Sequence, residues 1–410
     1  MISVEKKLRY LCRHYGFKLI ELGEIAKLYK GERFDTNDKA YLRLREISKV
    51  LCEKYTSLYR GEKAKESICS LARNYLKRIR LQKKIFLFSH LDADVRSGFS
   101  CVVGAVDLEG VCFVNEGAIF SPTCLTVLHK NTVVSPNVAF GSNGFGVIKL
   151  EESSWVGCSS IIDSGVNIGK ASIVAAGATV NENVPQLHVA LGRPAINKPL
   201  AIKGKGRQSS IYSDEEFSLL KTHLKKIGFG KAFKDYMRLL KGETVNVGKP
   251  SLGRLFLYSH ALSFEYSNPA ISPQRRREIL QILFPFGGDS VTAAGPLFVD
   301  LVGATKLGKD AVLGPNVSFY GSASLGEGTI LDDNVILASS GHPLDPKERR
   351  FKFSLFRGFI SLSSFASITV EPHCHLKHDV VVAPSSHIEK DVPAESLVIS
   401  SGVTIPQIKL

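Results

Sequence analysis

The chain has 410 residues, 44% of them hydrophobic, with a formal charge of +14. Such a composition excludes a disordered chain and leaves room for two or more domains with buried cores. No stretch reaches the roughly 18 uncharged apolar residues of a membrane span, and the start MISVEKKLRYLCRHYG lacks the apolar run of a signal peptide, so a cytoplasmic location is expected.

Residues 1–95 predict a helical, basic segment. Residues 1–90 hold 22 Lys and Arg against 10 Asp and Glu, an excess that favours an acidic partner. Its densest stretch, LARNYLKRIRLQKKIF (71–86), spaces Leu71, Tyr75, Leu76 and Ile79 as one helical face. Two readings stand: a packed helix with a solvated basic face, or contact with an anionic membrane or glycan. Nucleic acid is not expected, because no recognition motif accompanies the charge.

From 96 to 206 the pattern changes. Val102, Leu108, Val114 and Phe120 form a weak series at intervals of six, and Val156, Ile162, Ile168, Val174 and Val180 a stronger one. Two residues before each of the latter stands a smaller residue: Ser154, Ser160, Val166, Ser172 and Ala178. A helix would repeat near 3.6 and a simple strand at 2; six is the repeat of a hexapeptide β-helix, three short strands to a coil. The small, polar, basic stretch GKGRQSSIYSD (204–214) marks a boundary.

A second helical segment is expected over 207–288, where IGFGKAFKDYMRLLKGE (227–243) resembles YGFKLIELGEIAKLYKGE (15–32). The period of six then returns over 289–410, at Leu301, Leu307, Leu313, Phe319, Leu325, Leu331 and Leu337. After an interruption it resumes at Val370, Leu376, Val382 and Ile388. NVILASSGHP (334–343) aligns with NVAFGSNGFG (137–146), so the chain reads as a duplication. Eight scattered cysteines without a C-x-x-C pair read as reduced thiols, and no disulfide is expected.

The repeats, together with RRREILQILFPFGG (275–288) and GHPLDPKERR (341–350), resemble the hexapeptide-repeat acyltransferases, in particular the galactoside and maltose O-acetyltransferase branch. The resemblance covers about 275–410 well and 100–200 less fully; it leaves 1–95 and 214–270 unexplained. It implies a mainly β protein with helical segments, built as two left-handed parallel β-helix prisms, each preceded by a helical segment. Acetyl-CoA is the implied co-substrate, a carbohydrate hydroxyl the implied acceptor and a homotrimer the favoured assembly.

Within that family a G-H-P loop protrudes from the prism, and here it holds His342. Moving acetyl from a thioester to an alcohol requires a base for the hydroxyl proton, and an ordinary imidazole titrates near neutrality. His342 is therefore the candidate general base, placed between Gly341 and Pro343, which narrow its backbone path. Asp345 either orients the imidazole or caps the turn. Arg349 and Arg350, with Lys347 and Lys352, either hold phosphates or an anionic acceptor, or form a solvated loop.

The copies diverge. Phe145 stands where His342 does in the second, and a phenyl ring accepts no proton. The first copy keeps SWVG (154–157) and LGRPAINKP (191–199), which resemble the family's segments near bound coenzyme A; Trp155, Gly157, Arg193, Lys198 and Lys203 become candidate cofactor-binding residues. The second has Ser363 and Ser364 at the tryptophan position by sequence alignment. Either one site draws on both copies, or each copy degraded separately.

HCHLKH (373–378) offers three imidazoles and a thiol, but Cys374 falls at a small, inward position. Zinc needs three or four converging ligands, so no metal is expected. No phosphate-loop or dinucleotide fingerprint is present. The expected function is acetyl-CoA-dependent O-acetylation of a carbohydrate, with an anionic capsule or surface polysaccharide built at the inner membrane face as the favoured acceptor. N-acetylation of an amino sugar and a non-catalytic β-helix scaffold are the alternatives.

Overall fold

The computed structural model describes residues 3–60, 68–87, 93–96, 98–142, 144–200, 210–247, 249–342, 352–354, 358–360, 362–365, 368–383, 386–398 and 404–406. Of these, 59–60, 68–75, the segments between 352 and 365, and 404–406 are described by backbone alone. The chain divides into two compact units, the first carried mainly by residues up to 201 and the second mainly by those from 202 onward.

The first unit opens with helices α1 (Val4–Tyr15), α2 (Gly23–Lys30), α3 (Lys39–Arg60) and α4 (Ile68–Ile85). Ser3 caps α1 by accepting from the Lys6 amide, and Gly16 closes it at φ 66°, the left-handed exit that glycine takes most readily. Leu11, Ile25, Leu28, Tyr41 and Leu44 bury against Val102 and Val103, so Val102 serves the helix-facing cluster, whereas Leu108, Val114 and Phe120 point into the prism. In α4 the packed face is Arg78, Leu81, Gln82 and Ile85, while Leu76 is 57% exposed. The apolar face expected from Leu76 and Ile79 is thus rotated from the one that docks.

The prism begins at Asp94–Val95. Its strands form three parallel sheets, and successive coils pair at steps of 18 residues where the hexapeptide pattern is unbroken, as in Trp155↔Ile173 and Ile161↔Thr179. Val156, Ile162, Ile168, Val174 and Val180 are all buried, with Ser154, Ser160, Val166, Ser172 and Ala178 lining the corners beside them. Each corner residue takes a left-handed backbone, again every six: Ser153, Ser159, Gly165, Ala171 and Gly177. The steric cost of the non-glycine cases, about 1–2 kcal/mol each, is offset by coil-to-coil hydrogen bonds. Ser159 N–H donates to Pro136 O at 2.9 Å, Ala171 to Glu152 O at 2.9 Å and Gly177 to Cys158 O at 2.7 Å. A hairpin, His188–Gly192 with Ala195–Pro199, ends this prism.

The second unit repeats the plan: α5 (Asp214–Lys226), α6 (Phe233–Leu240), α7 (Pro250–Tyr266), α8 (Pro273–Leu283), then three parallel sheets. Leu301 through Leu337 and Val370 through Ile388 are buried at every sixth position. Both units are left-handed parallel β-helices behind a helical segment. Matching details establish the duplication. A single 3-10 turn, Leu19–Glu21 or Gly230–Ala232, precedes α2 or α6, and VVGAVD (102–107) corresponds to LVGATK (301–306) with Gly104 at φ 75° and Gly303 at 69°. Tyr29 Oη donates to Val103 O at 2.7 Å, and Tyr236 Oη to Val302 O at 2.6 Å.

Candidate active site

Among the described residues, the prism of the second unit is broken by one long excursion. Ile330↔His375, Ile336↔Val381 and Ala323↔Ile368 are stacked rungs separated by 45 residues instead of 18, so 27 extra residues leave between Ala338 and Ile368. The excursion starts as a strand, Ser340–Gly341, antiparallel to Leu362–Phe365, which in turn pairs with Val245–Asn246 of the helical segment. His342 is the next residue, half-buried at the root of the excursion. The backbone pairing on both sides of Leu362–Phe365 fixes the strand that ends one residue before His342. Asp345, Arg349 and Arg350 lie outside the described residues, as do Lys347 and, on the first unit, Lys203. Lys352 is described in its backbone alone.

In the first unit the corresponding rungs are separated by 22 residues, as in Val133↔Trp155, and the strand Gly146–Leu150 begins immediately after Phe145. Phe145 packs edge-on against Phe34, ring centroids 5.2 Å apart, with the Arg33 guanidinium 5.8 Å from the ring. Its side chain fills a place in the helix–prism packing.

Trp155 lies on an outer face and its indole N–H donates to Ser135 Oγ at 2.9 Å. The register row continues through Ile173 and Val189 to Lys198, so Trp155 and the exposed Lys198 share one sheet row, about 14 Å apart at roughly 4.8 Å per strand. Arg193, at the hairpin turn, donates through Nε to Gly177 O, and burial pulls its guanidinium below the ordinary range. Gly157 has no room for a side chain: a Cβ would fall 2.5 Å from Ala176 N and 2.8 Å from Val174 O on the next coil. Whatever else it does, it sets coil spacing.

Counting coils corrects the sequence alignment of the copies. In the first unit, Asp94, Phe113, Val133 and Trp155 are successive rungs of one sheet; in the second, Thr292, Val312, Ile330 and His375 are. His375, not Ser363, is therefore the counterpart of Trp155. Ser363 and Ser364 belong to the excursion, opposite Val245 and Gly341. The bond below is preserved in kind, because His375 Nε2 lies 2.8 Å from Asp332 Oδ1, the residue matching Ser135.

Sequence reasoning missed this outward pair; the inward Cys374, aligned with Ser154, was the signal for it. Cys374 Sγ sits 3.8 Å from Ile388 O inside the prism. Lys377 Nζ donates to His375 Nδ1 at 2.9 Å, and His378 pairs with Asp379 at 2.9 Å, whose carboxylate raises the His378 pKa. The imidazoles of His375 and His378 thus hold separate partners.

No family model matches the chain. A protein of Saccharomyces cerevisiae named as an acetyltransferase is 23% identical over 195 residues, 42% of this chain and 90% of that protein. The galactoside O-acetyltransferase of Lactococcus lactis is 33% identical over 87 residues, 21% of this chain and 42% of that enzyme. A hexapeptide-repeat acetyltransferase of Vibrio cholerae, solved with acetyl coenzyme A, is 23% identical, with 44% of this chain and 99% of that one superposed at a TM-score of 0.37. With hexapeptide coils built twice and proteins named as acetyltransferases among its sequence relatives, the chain is similar to the hexapeptide-repeat acetyltransferases and carries their repeat in tandem.

Proposed function

We propose that the protein is an acetyl-CoA-dependent O-acetyltransferase acting on a carbohydrate, with an anionic surface polysaccharide as the favoured acceptor and His342 as the general base. The observation that carries this reading is the 27-residue excursion from an otherwise regular prism, with His342 held at its root. The acceptor hydroxyl gives its proton to the imidazole as its oxygen attacks the thioester carbonyl; the C–S bond then breaks and the leaving thiolate takes the proton back. Asp345 would orient the imidazole, and Arg349 and Arg350 would take an acidic acceptor or a phosphate. Trp155, Gly157, Arg193, Lys198 and Lys203 are the proposed coenzyme A contacts, supported by the cationic hairpin that carries Arg193 and Lys198.

The relative from Lactococcus lactis, a galactoside O-acetyltransferase, supports a sugar hydroxyl over an amine. Among the described residues no helix is long and apolar enough to cross a membrane. The exposed Leu76 of α4, with Lys77, Arg80, Lys83 and Lys84 exposed around it, supports peripheral contact with an anionic membrane, at the inner face of the cell envelope. A homotrimer is the proposed assembly.

The test is acetyl-CoA turnover, read as free-thiol release, against acidic and neutral polysaccharides and matched amino sugars. Acceptor-dependent release should fall by about 10² in His342→Ala, the scale of a lost general base. Equal rates in both proteins remove His342 from the chemistry, and release with amino sugars alone assigns N-acetylation.

A further inference from the structure

In the first unit, Ile20 is 94% exposed and the adjacent Leu19 62%, both on the 3-10 turn that follows α1. The turn itself is well built. Glu21 N–H donates to Lys18 O at 3.1 Å, Leu22 N–H to Leu19 O at 3.2 Å, and Lys18 N–H to the Glu21 carboxylate at 2.9 Å. Phe17 before it and Leu22 after it are buried, so the fold is anchored on either side and gains nothing from the two aliphatic chains between. The duplicate makes the comparison directly. Its equivalent turn, Gly230–Ala232, follows the buried Phe229 and carries Lys231 and a buried Ala232 where the first copy carries Leu19 and Ile20. The turn geometry therefore does not require an aliphatic tip.

The surroundings are cationic. Arg13 lies in the last turn of α1, Lys18 precedes the tip, and Arg43 donates to Tyr15 O at 2.9 Å at the base of the turn. Tyr15 Oη donates to Lys84 O at 3.1 Å, which brings the exposed Lys83 and Lys84 of α4 to the same side. Glu21 is the acid of the turn, and it is bonded to the turn's own backbone and 4.0 Å from Arg43. Paired exposed aliphatics ringed by lysine and arginine suit an anionic bilayer, where the aliphatics enter the acyl boundary and the cations meet headgroup phosphates.

We propose that Leu19 and Ile20 insert into an anionic phospholipid surface and, with Arg13, Lys18, Lys83 and Lys84, anchor the first unit there. This deepens the membrane-contact reading above and rests on it, while standing apart from the acetyl-transfer chemistry of His342.

The full chain is sedimented with vesicles of phosphatidylcholine alone and of phosphatidylcholine with phosphatidylglycerol at about 3:1. Wild type should bind the anionic vesicles alone. Leu19→Asp/Ile20→Asp should weaken that binding by about tenfold or more, and Lys83→Gln/Lys84→Gln by about fivefold per cation removed. All four positions are exposed, and circular dichroism checks that the fold is retained. Wild-type binding by the aspartate variant overturns the tip as anchor while leaving α4 as the membrane contact. A change in oligomeric state by light scattering with vesicle binding intact assigns the tip to a second copy of the chain and overturns the proposal. Failure of wild type to bind either vesicle overturns both membrane readings without touching the thiol-release assay.

Discussion

Lys7 is 1% exposed, with its ammonium 2.7 Å from Asp107 and 2.8 Å from Gly104 O. Burial lowers the lysine's pKa and raises the carboxylate's, and the contact between them opposes both shifts. The same joint between helix and first coil is made in the second unit with the charges exchanged. Lys306, aligned with Asp107, meets Glu216 of α5 at 2.5 Å, and both remain partly exposed. Inversion of a pair on one scaffold shows that the joint needs complementarity and not a particular sign. Desolvation separates the two in energy. Asp107→Asn strands a buried ammonium and should destabilise the first unit by about 3–5 kcal/mol; Lys306→Gln, where water reaches both partners, should cost about 1 kcal/mol or less. Urea titration of the two variants, each with unit-specific probes, measures the contrast. Equal losses would mean that burial is not what sets the value of the pair.

At the scale of elements, α5 and α8 are tied by His223, whose Nε2–H donates to Ile282 O at 3.0 Å. Burial lowers the pKa of His223 below its ordinary value, with nearby Lys226 acting the same way. The unfolded chain therefore binds a proton at a higher pH than the folded one. The stability gained by burying a neutral ring is complete above about pH 6.5 and is lost as pH falls from there through the depressed folded value, while the bond to Ile282 O, which the cation still donates, opposes the shift. Acid unfolding followed by far-ultraviolet circular dichroism should show this loss for wild type and a flatter profile for His223→Gln; coincident profiles would remove His223 as the cause.

The elements also show what a sequence conveys. The period of six was legible because one large residue per strand must point inward and one corner in six must turn left-handed, both local demands. The packed face of α4 was not legible, since Arg78 is 7% exposed and Gln82 donates to Ala93 O at 2.8 Å. Side chains that bury their stems while satisfying polar ends escape a hydrophobic reading. The pairing of Trp155 with Ser363 failed for a different reason: an alignment slides residues, whereas the prism counts coils, and an excursion of 27 residues breaks the first without changing the second.

For the molecule as a whole, duplication has kept the scaffold while the candidate site residues differ between the copies. Each unit retains the helix–turn–helix entry, the glycine at the first coil and an outward pair on the fourth rung, Trp155 with Ser135 or His375 with Asp332. His342 was legible as a candidate base from its loop residues, while its root position depends on strand pairing between residues far apart in sequence, which no local pattern reveals. In the first unit Phe145 stands at the position of the proposed base His342, and the corresponding rungs are 22 residues apart where the second unit has 45. Phe145 closes the packing against Phe34, and the next strand starts at Gly146. Restoring an imidazole alone should therefore restore nothing. In a His342→Ala background, Phe145→His should leave acceptor-dependent thiol release at the background level, and loss of the aromatic contact should cost about 1 kcal/mol or more, seen as a lower Tm. Recovery of turnover in that double variant would show instead that the first prism kept a working site that lacked only its base, and that the excursion around His342 serves a purpose other than placing it.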